Sequence, residues 1–249
     1  DNGLLLVGRL NDARSQPGLR EQFDGEIVTM RAGSPVGHDQ RLVRDDRNGD
    51  RLARERKVTL LSGSILEQGA PGGRLYNTTV VFGPDGSRLA VYRKIHLFDV
   101  DVGDGTPYLE SAAVAPGAEV VVADTEVGRL GLSICYDLRF PELYRRLSAG
   151  GATLVAVPAA FTLMTGKDHW EVLLRARAIE NQCYVFAPAQ GGRHSPQRVT
   201  WGHAMVVDPW GLVTARASEG EGLAVAAMDT ELLARIRRNL PCLQHRRLE

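Results

Sequence analysis

One cysteine of this chain stands where a nucleophile would be useful. Cys135 follows an apolar run, 129–134, and precedes Pro141, which suits the first position of a helix expected over 142–149 and ended by Gly150 and Gly151. A thiol on a sharp turn between a strand and a helix is held above the sheet, with neighbouring backbone N–H groups aimed at the same point. There Cys135 is expected to favour the thiolate and to find an oxyanion donor in the amide of Tyr136. The plainer alternative is a thiol packed in the core, the common fate of a free cysteine. A second cluster is Tyr92-Arg93-Lys94-Ile95-His96, at the end of another expected strand. Lys94 beside such a thiol would lower its pKa and hold positive charge where a tetrahedral oxyanion develops. His96 would instead be the base of a Cys–His pair. Spacing alone leaves both open.

Composition narrows the setting. The 249 residues carry 30 Lys+Arg against 30 Asp+Glu, with 43% hydrophobic and 24% charged residues, an ordinary globular profile. With no net charge and the signs interspersed, nothing argues for a nucleic-acid partner or an anionic membrane surface. The long apolar run 152–164 falls short of the ~20 residues that span a bilayer. Cys135, Cys183 and Cys242 are far apart and form no CxxC pair, which favours free thiols in a reducing compartment. The six histidines show no HxxxH or HExxH spacing, so no metal site is expected. No secretory signal is visible at Asp1; a start without Met implies processing or a longer reading frame.

Positioning these residues requires a sheet system. Strands are expected at 58–62, 76–82, 89–93, 120–122, 129–134, 153–157, 183–187, 202–207, 213–217 and 222–228. Gly83-Pro84-Asp85-Gly86 and Asp208-Pro209-Trp210-Gly211 read as hairpin turns. A helix is expected from a capping box at Asp168 and Glu171 to about Gln182, and another from Asp229 to a stop at Pro241, with Leu232, Leu233 and Ile236 inward. The Arg/Asp-rich stretch 41–57 reads as a surface loop or solvated helix. Helices between some strands and hairpins between others give an α/β class.

Three blocks carry a family resemblance. YRKIHLFD at 92–99, LSICYDLRFPELYRRL at 132–147 and HWEVLLRARAIENQCYVFAPAQ at 169–190 resemble, in order and distance, signature segments of the nitrilase (carbon–nitrogen hydrolase) superfamily, with the likeness running over 58–247. Within it the chain is most similar to the branch of deaminated-glutathione amidases, on residues 111–117, 165–170, 191–194, 201–211 and 240–247. The resemblance implies a four-layer α-β-β-α sandwich as one domain over 1–249, usually a homodimer, and a Glu-Lys-Cys triad. It assigns Cys135 as nucleophile, Lys94 as the lysine and Glu110 as a second glutamate lining the site. Tyr136 shares the oxyanion through its amide. Arg139, Phe161 and Thr162 would border the substrate; Phe140 and Glu142 would shape the pocket, although Glu142 in the first turn of a helix equally suits the macrodipole. The implied reaction is hydrolysis of a small carboxylated linear amide through a thioester, without cofactor or metal, in the cytoplasm with the mitochondrion as a second compartment. Deaminated glutathione is the expected substrate. The alternatives are an ω-amidase, an N-carbamoyl amide hydrolase, or a catalytically impaired interaction protein. Arg175, Arg177 and Glu180 are expected to form ion pairs near the dimer face, and Cys183 to lie in the core.

One departure stands out. The family's general base follows a hydrophobic-Pro-Glu motif on an early strand, and residues 1–56 contain none. Asp1, Glu21 and Glu26 are weak candidates, and the N-terminal part is expected to be divergent or incomplete.

Overall fold

The computed structural model describes residues 5–8, 26–32, 47–101, 107–196, 198–217 and 222–248, with backbone alone for 5–8, 26–32 and 47–48. Asp1 and Glu21 lie outside the described residues.

In chain order the first strands are β1 (Leu5–Gly8) and β2 (Glu26–Ala32), then helix α1 (Arg47–Arg56), then β3 (Thr59–Glu67), β4 (Tyr76–Phe82) and β5 (Arg88–Arg93). A small ribbon, β6 (Asp99–Asp101) and β7 (Pro107–Leu109), leads to β8 (Val122–Thr125) and β9 (Gly128–Leu132). Helix α2 (Pro141–Ala149), β10 (Leu154–Ala156), helix α3 (Leu163–Asn181) and β11 (Tyr184–Ala187) follow. A second ribbon, β12 (Gly191–Arg193) and β13 (Val199–Trp201), precedes β14 (Met205–Val207), β15 (Val213–Arg216), β16 (Gly222–Met228) and helix α4 (Thr230–Asn239).

Two six-stranded sheets result, ordered β16-β2-β1-β3-β4-β5 and β15-β14-β11-β10-β9-β8. They face each other, with β14 and β15 against β16 and β5 against β8. Alternation along the strands sorts the side chains. Leu61 and Val81 join the large core between the sheets, while Leu60, Val80 and Phe82 point the other way and pack on Ala53 of α1. Within the stretch read as a surface loop or solvated helix, Arg47–Arg56 are therefore a helix with one buried face. On the far side α2 and α3 cover β9, β11 and β14, which completes the four α-β-β-α layers.

In the second sheet β9, β10 and β11 run parallel. Their C-terminal ends lead into the segments at 133–136, 157–162 and 188–190, so three consecutive strands deliver loops to one edge. Residues 84–86 and 208–211 make the expected reversals, between β4 and β5 and between β14 and β15.

Three boundaries moved for identifiable reasons. Strand β3 continues past 62 because a bulge between Ser62 and Ile65 absorbs the break in alternation. Strand β14 starts late because Gly202 and His203 both take positive φ, 71° and 58°. Helix α3 begins well before Asp168, because the Thr162 hydroxyl accepts from Thr165 N (3.4 Å) and caps it. Asp168 and Glu171 are thus interior, and Glu171 pairs with Arg216. Gly166 is tolerated in that helix because Trp201 occupies the space, a Cβ there falling 2.2 Å from the Trp201 Cβ. Asp229 does cap α4, accepting from Leu232 N at 2.9 Å, and Leu233 and Ile236 are buried while Leu232 is only half-buried. Among the described residues no helix is long and apolar enough to cross a membrane.

Candidate active site

Cys135 leaves the end of β9 with φ of 50°, a left-handed conformation costly for a residue with a Cβ. The strain is held from several sides. Its amide donates to Pro158 O (2.9 Å), after β10, and a short 3-10 turn over Cys135–Arg139 follows before α2. Arg177 of α3, buried, sends Nε (3.0 Å) and Nη2 (2.8 Å) to the Leu138 carbonyl and lies 5.2 Å over the Tyr144 ring. The expected ion pairs are thus partly redirected. Arg177 and Glu180 do pair at 2.9 Å, but Arg175 donates to the Gly211 carbonyl (2.7 Å). An arginine buried beneath the turn satisfies a carbonyl that would otherwise be stranded.

The residue is half-buried, yet the sulfur sits deep, and burial pushes the thiol pKa up. Lys94 and a hydrogen bond from the Ala160 backbone pull it back, while Glu110 and Asp137 add to the rise. The expectation of a resting thiolate is corrected: desolvation outweighs the nearby positive charge, so the thiol is neutral and needs a base to react.

Lys94, expected beside the thiol, lies just beyond β5 and is 3% exposed. Its Nζ is 2.5 Å from Glu110 Oε2. Glu110 also accepts from Phe98 N (2.7 Å) and Asn77 Nδ2 (3.2 Å). The Lys94 amide donates to Asn77 O (2.8 Å) and its carbonyl accepts from Gly117 N (2.8 Å), which pins the lysine backbone between β4 and the 113–117 loop. Gly117 is required there, since a Cβ would fall 2.2 Å from Arg93 O. Cys135, Lys94 and Glu110, distant in sequence, are therefore brought into one electrostatic neighbourhood.

His96 has a different occupation from the base considered for it. Its Nδ1 bonds Asp137 Oδ1 (2.7 Å), and its ring stacks on Phe140 with centroids 3.7 Å apart. Tyr136 packs edge-on against Phe98 (5.0 Å) and Phe140 (5.3 Å).

Across from this wall, Arg139 projects its guanidinium 5.3 Å over Phe161 and 5.9 Å from the Tyr136 ring centroid. Burial lowers its pKa, and the groups that oppose this are Tyr136 and Cys135, not a carboxylate. Its Nη1 meets His169 Nδ1 at 3.2 Å; since arginine only donates, that nitrogen is the acceptor. Phe161 is buried against Trp170 (4.8 Å). Thr162 lies next to this edge, but its hydroxyl is occupied by Thr165. Glu142 is exposed in the first turn of α2, where it suits the helix dipole. Cys183 is core, its thiol pushed up to about 12 by burial.

Sequence reading passed over Asn77, Tyr92 and Asp137. A signal existed for the last: an acid two residues beyond the thiol, inside an apolar block, needs buried donors. Of the candidate bases, only Glu26 falls on a described element, opening β2 opposite Met228. Among the described residues no cluster of three or more His, Cys, Asp or Glu could hold a metal ion.

A family profile described as Carbon-nitrogen hydrolase matches residues 48–238. A deaminated glutathione amidase of Synechocystis sp. (strain PCC 6803 / GT-S) is 52% identical over 198 residues, 78% of this chain and 73% of that protein. A human omega-amidase is 44% identical over 196 residues, 79% of this chain and 70% of that protein. The crystal structure of the C. elegans NitFhit protein superposes with a TM-score of 0.76 at 44% identity, over 81% of this chain and 49% of that one, so the chain spans about half its length.

Proposed function

Because the chain belongs to the carbon–nitrogen hydrolase family, we propose that it is an amidase that cleaves a small linear amide carrying a carboxylate, with deaminated glutathione as substrate. The observation that carries this reading is the pairing of a thiol beside a buried ammonium, Cys135 with Lys94, with a guanidinium one turn away, Arg139, that no carboxylate among the described residues perturbs. A desolvated guanidinium flanked by aromatic rings suits a planar carboxylate. The amidase name of the Synechocystis relative supports the substrate.

In the proposed reaction Cys135 loses its proton to a glutamate and its sulfur attacks the amide carbonyl. Negative charge gathers on the carbonyl oxygen, where the Lys94 ammonium and the Tyr136 amide stabilise it; N–H groups at the start of a helical turn have no partner within the turn. The C–N bond breaks as the glutamic acid returns the proton to nitrogen, releasing the amine half of the substrate (ammonia where the amide is primary) and leaving a thioester. Water, giving a proton to the same glutamate, hydrolyses the thioester to the carboxylic acid and restores the thiol. Glu110 orients Lys94 and is saturated by three donors, which suits it to holding charge in place. For the triad base the sequence offers Asp1, Glu21 and Glu26, of which Glu26 lies on a described element, β2.

Release of the common α-keto acid product decides the substrate: faster turnover of deaminated glutathione than of α-ketoglutaramate is expected, and the reverse order overturns it. The second reading, an ω-amidase, is favoured by the human relative of that name and would give that reverse order.

A homodimer is part of the proposal. Val172 and Ile179 leave α3 exposed at 65% and 47%, beside Trp210 and Leu212 of the β14–β15 turn at 64% and 62%. An apolar surface of this kind on one face is a surface to be covered. Sedimentation at twice the chain mass is expected, reduced to the chain mass in Val172→Glu. The cytoplasm, with the mitochondrion second, is the proposed compartment, on the strength of three free cysteines.

A further inference from the structure

Asp137 has no part in the chemistry proposed above, yet it is enclosed completely, at 0% exposure, two residues past the nucleophile. A carboxylate without solvent must have its lone pairs filled by donors. Four are present, two on each oxygen. Oδ1 accepts from His96 N (3.0 Å) and bonds His96 Nδ1 (2.7 Å). Oδ2 accepts from the Tyr92 hydroxyl (2.7 Å) and Ile134 N (2.8 Å). Because the carboxylate only accepts, Nδ1 carries the proton. Burial raises the Tyr92 pKa, with the charge of Asp137 adding to it, so the phenol remains a donor.

The origin of these donors matters more than their number. Tyr92 and His96 stand two residues to either side of Lys94, and Ile134 immediately precedes Cys135. Ile95 N also reaches the Tyr92 oxygen (3.4 Å), and the His96 ring is trapped flat against Phe140. One buried carboxylate thus fastens both flanks of the lysine to the turn that bears the thiol. Lys94 lies on a segment leaving the first sheet and Cys135 on a turn leaving the second, so without such a tie their separation would follow any slip between the layers.

We infer that Asp137 is a positioning residue that fixes the Lys94 ammonium relative to the Cys135 sulfur, with His96 as its principal lever. The inference rests on the proposed roles of those two residues. Misplacing an oxyanion donor by about 1 Å is enough to cost ~100-fold in rate without weakening substrate binding.

The test is steady-state kinetics on the full chain, normalised to the thiol that iodoacetamide titrates at Cys135, together with melting temperature. Asp137→Asn keeps the size but can serve only one donor pair, its amide nitrogen facing the other two donors. It is expected to lower kcat about 100-fold with KM changed less than about 2-fold. His96→Ala should lose about 10-fold in kcat, and His96→Asn, whose amide nitrogen can reach the Nδ1 position, should recover most of it. A folded Asp137→Asn with unchanged kcat per thiol overturns the inference. If that variant does not fold, equal kcat for His96→Ala and His96→Asn overturns it. Cys135→Ala separates the two levels: should it still hydrolyse the amide, the catalytic reading itself fails, whereas an inert Cys135→Ala beside an unaffected His96→Ala removes only the positioning role.

Discussion

The two sides of the site are finished differently. On the side of Lys94 every charged group already has its complement: Glu110 takes three donors and Asp137 four, all from the protein. On the side of Arg139 the guanidinium has two aromatic faces and one histidine nitrogen, and among the described residues no carboxylate is among the groups that shift it. A saturated network resists rearrangement and suits groups that must meet a transition state in fixed geometry. A cation left with open donors gains most when a ligand supplies the acceptor. The contrast predicts that damage on the first side appears in kcat and damage on the second in KM.

The largest effect is expected at the saturated side. Lys94→Ala should lower kcat by about 1,000-fold, the scale for loss of an oxyanion donor in a dry site, with KM little changed. Glu110→Gln, which places an amide nitrogen among three donors, should lose about 100-fold. A KM effect exceeding the kcat effect in either variant would break the contrast. The pH dependence of alkylation sharpens it. With burial the leading influence on Cys135, the midpoint for iodoacetamide modification at that residue, followed by peptide mass, should lie above the ordinary thiol value of 9.0. The sign also bears on stability. A folded-state thiol pKa raised above the unfolded one contributes stability below the unfolded value, and that contribution declines as pH rises past it. Lys94→Ala should move the midpoint higher still, since the lysine opposes the rise.

The sequence made one side far more legible than the other. Cys135 was readable because an apolar strand, a turn and a Pro-started helix succeed one another locally; the resemblance block at 92–99 brought Lys94 with it, and the likeness of the loop 105–111 brought Glu110. Strand β4 was read to the residue, because its apolar run ends at a Gly-Pro-Asp-Gly turn that leaves no choice of boundary. What escaped was long-range. That His96 serves a buried carboxylate 41 positions away, or that Arg177 props up Leu138 O 39 positions away, is decided by the packing of two sheets and a helix. No periodicity records that. The state of the thiol escaped for the same reason: local dipoles argued for thiolate, whereas desolvation depends on everything packed around the sulfur.

On the open side the expected effects are smaller and fall on binding. Arg139→Met keeps an unbranched side chain of similar reach beside Phe161 but removes the guanidinium and its donors, so KM for a carboxylated amide should rise about 30-fold. A neutral amide of the same length should be unaffected. Loss of turnover for both substrates alike would mean that Arg139 supports the fold of the turn and not the substrate.

The mildest change is the most discriminating. His169 can accept from Arg139 only through an unprotonated Nδ1, and it touches the guanidinium from an exposed position on α3. His169→Leu should therefore release Arg139 to wander and raise KM for the carboxylated amide about 3-fold, the scale of a partly exposed hydrogen bond. His169→Gln, which offers a carbonyl oxygen in the same region, should stay close to the parent. If both variants raise KM equally, what matters at 169 is ring packing. If neither does, the aromatic faces of Phe161 and Tyr136 suffice to hold the cation, and the open side is preorganised by stacking alone.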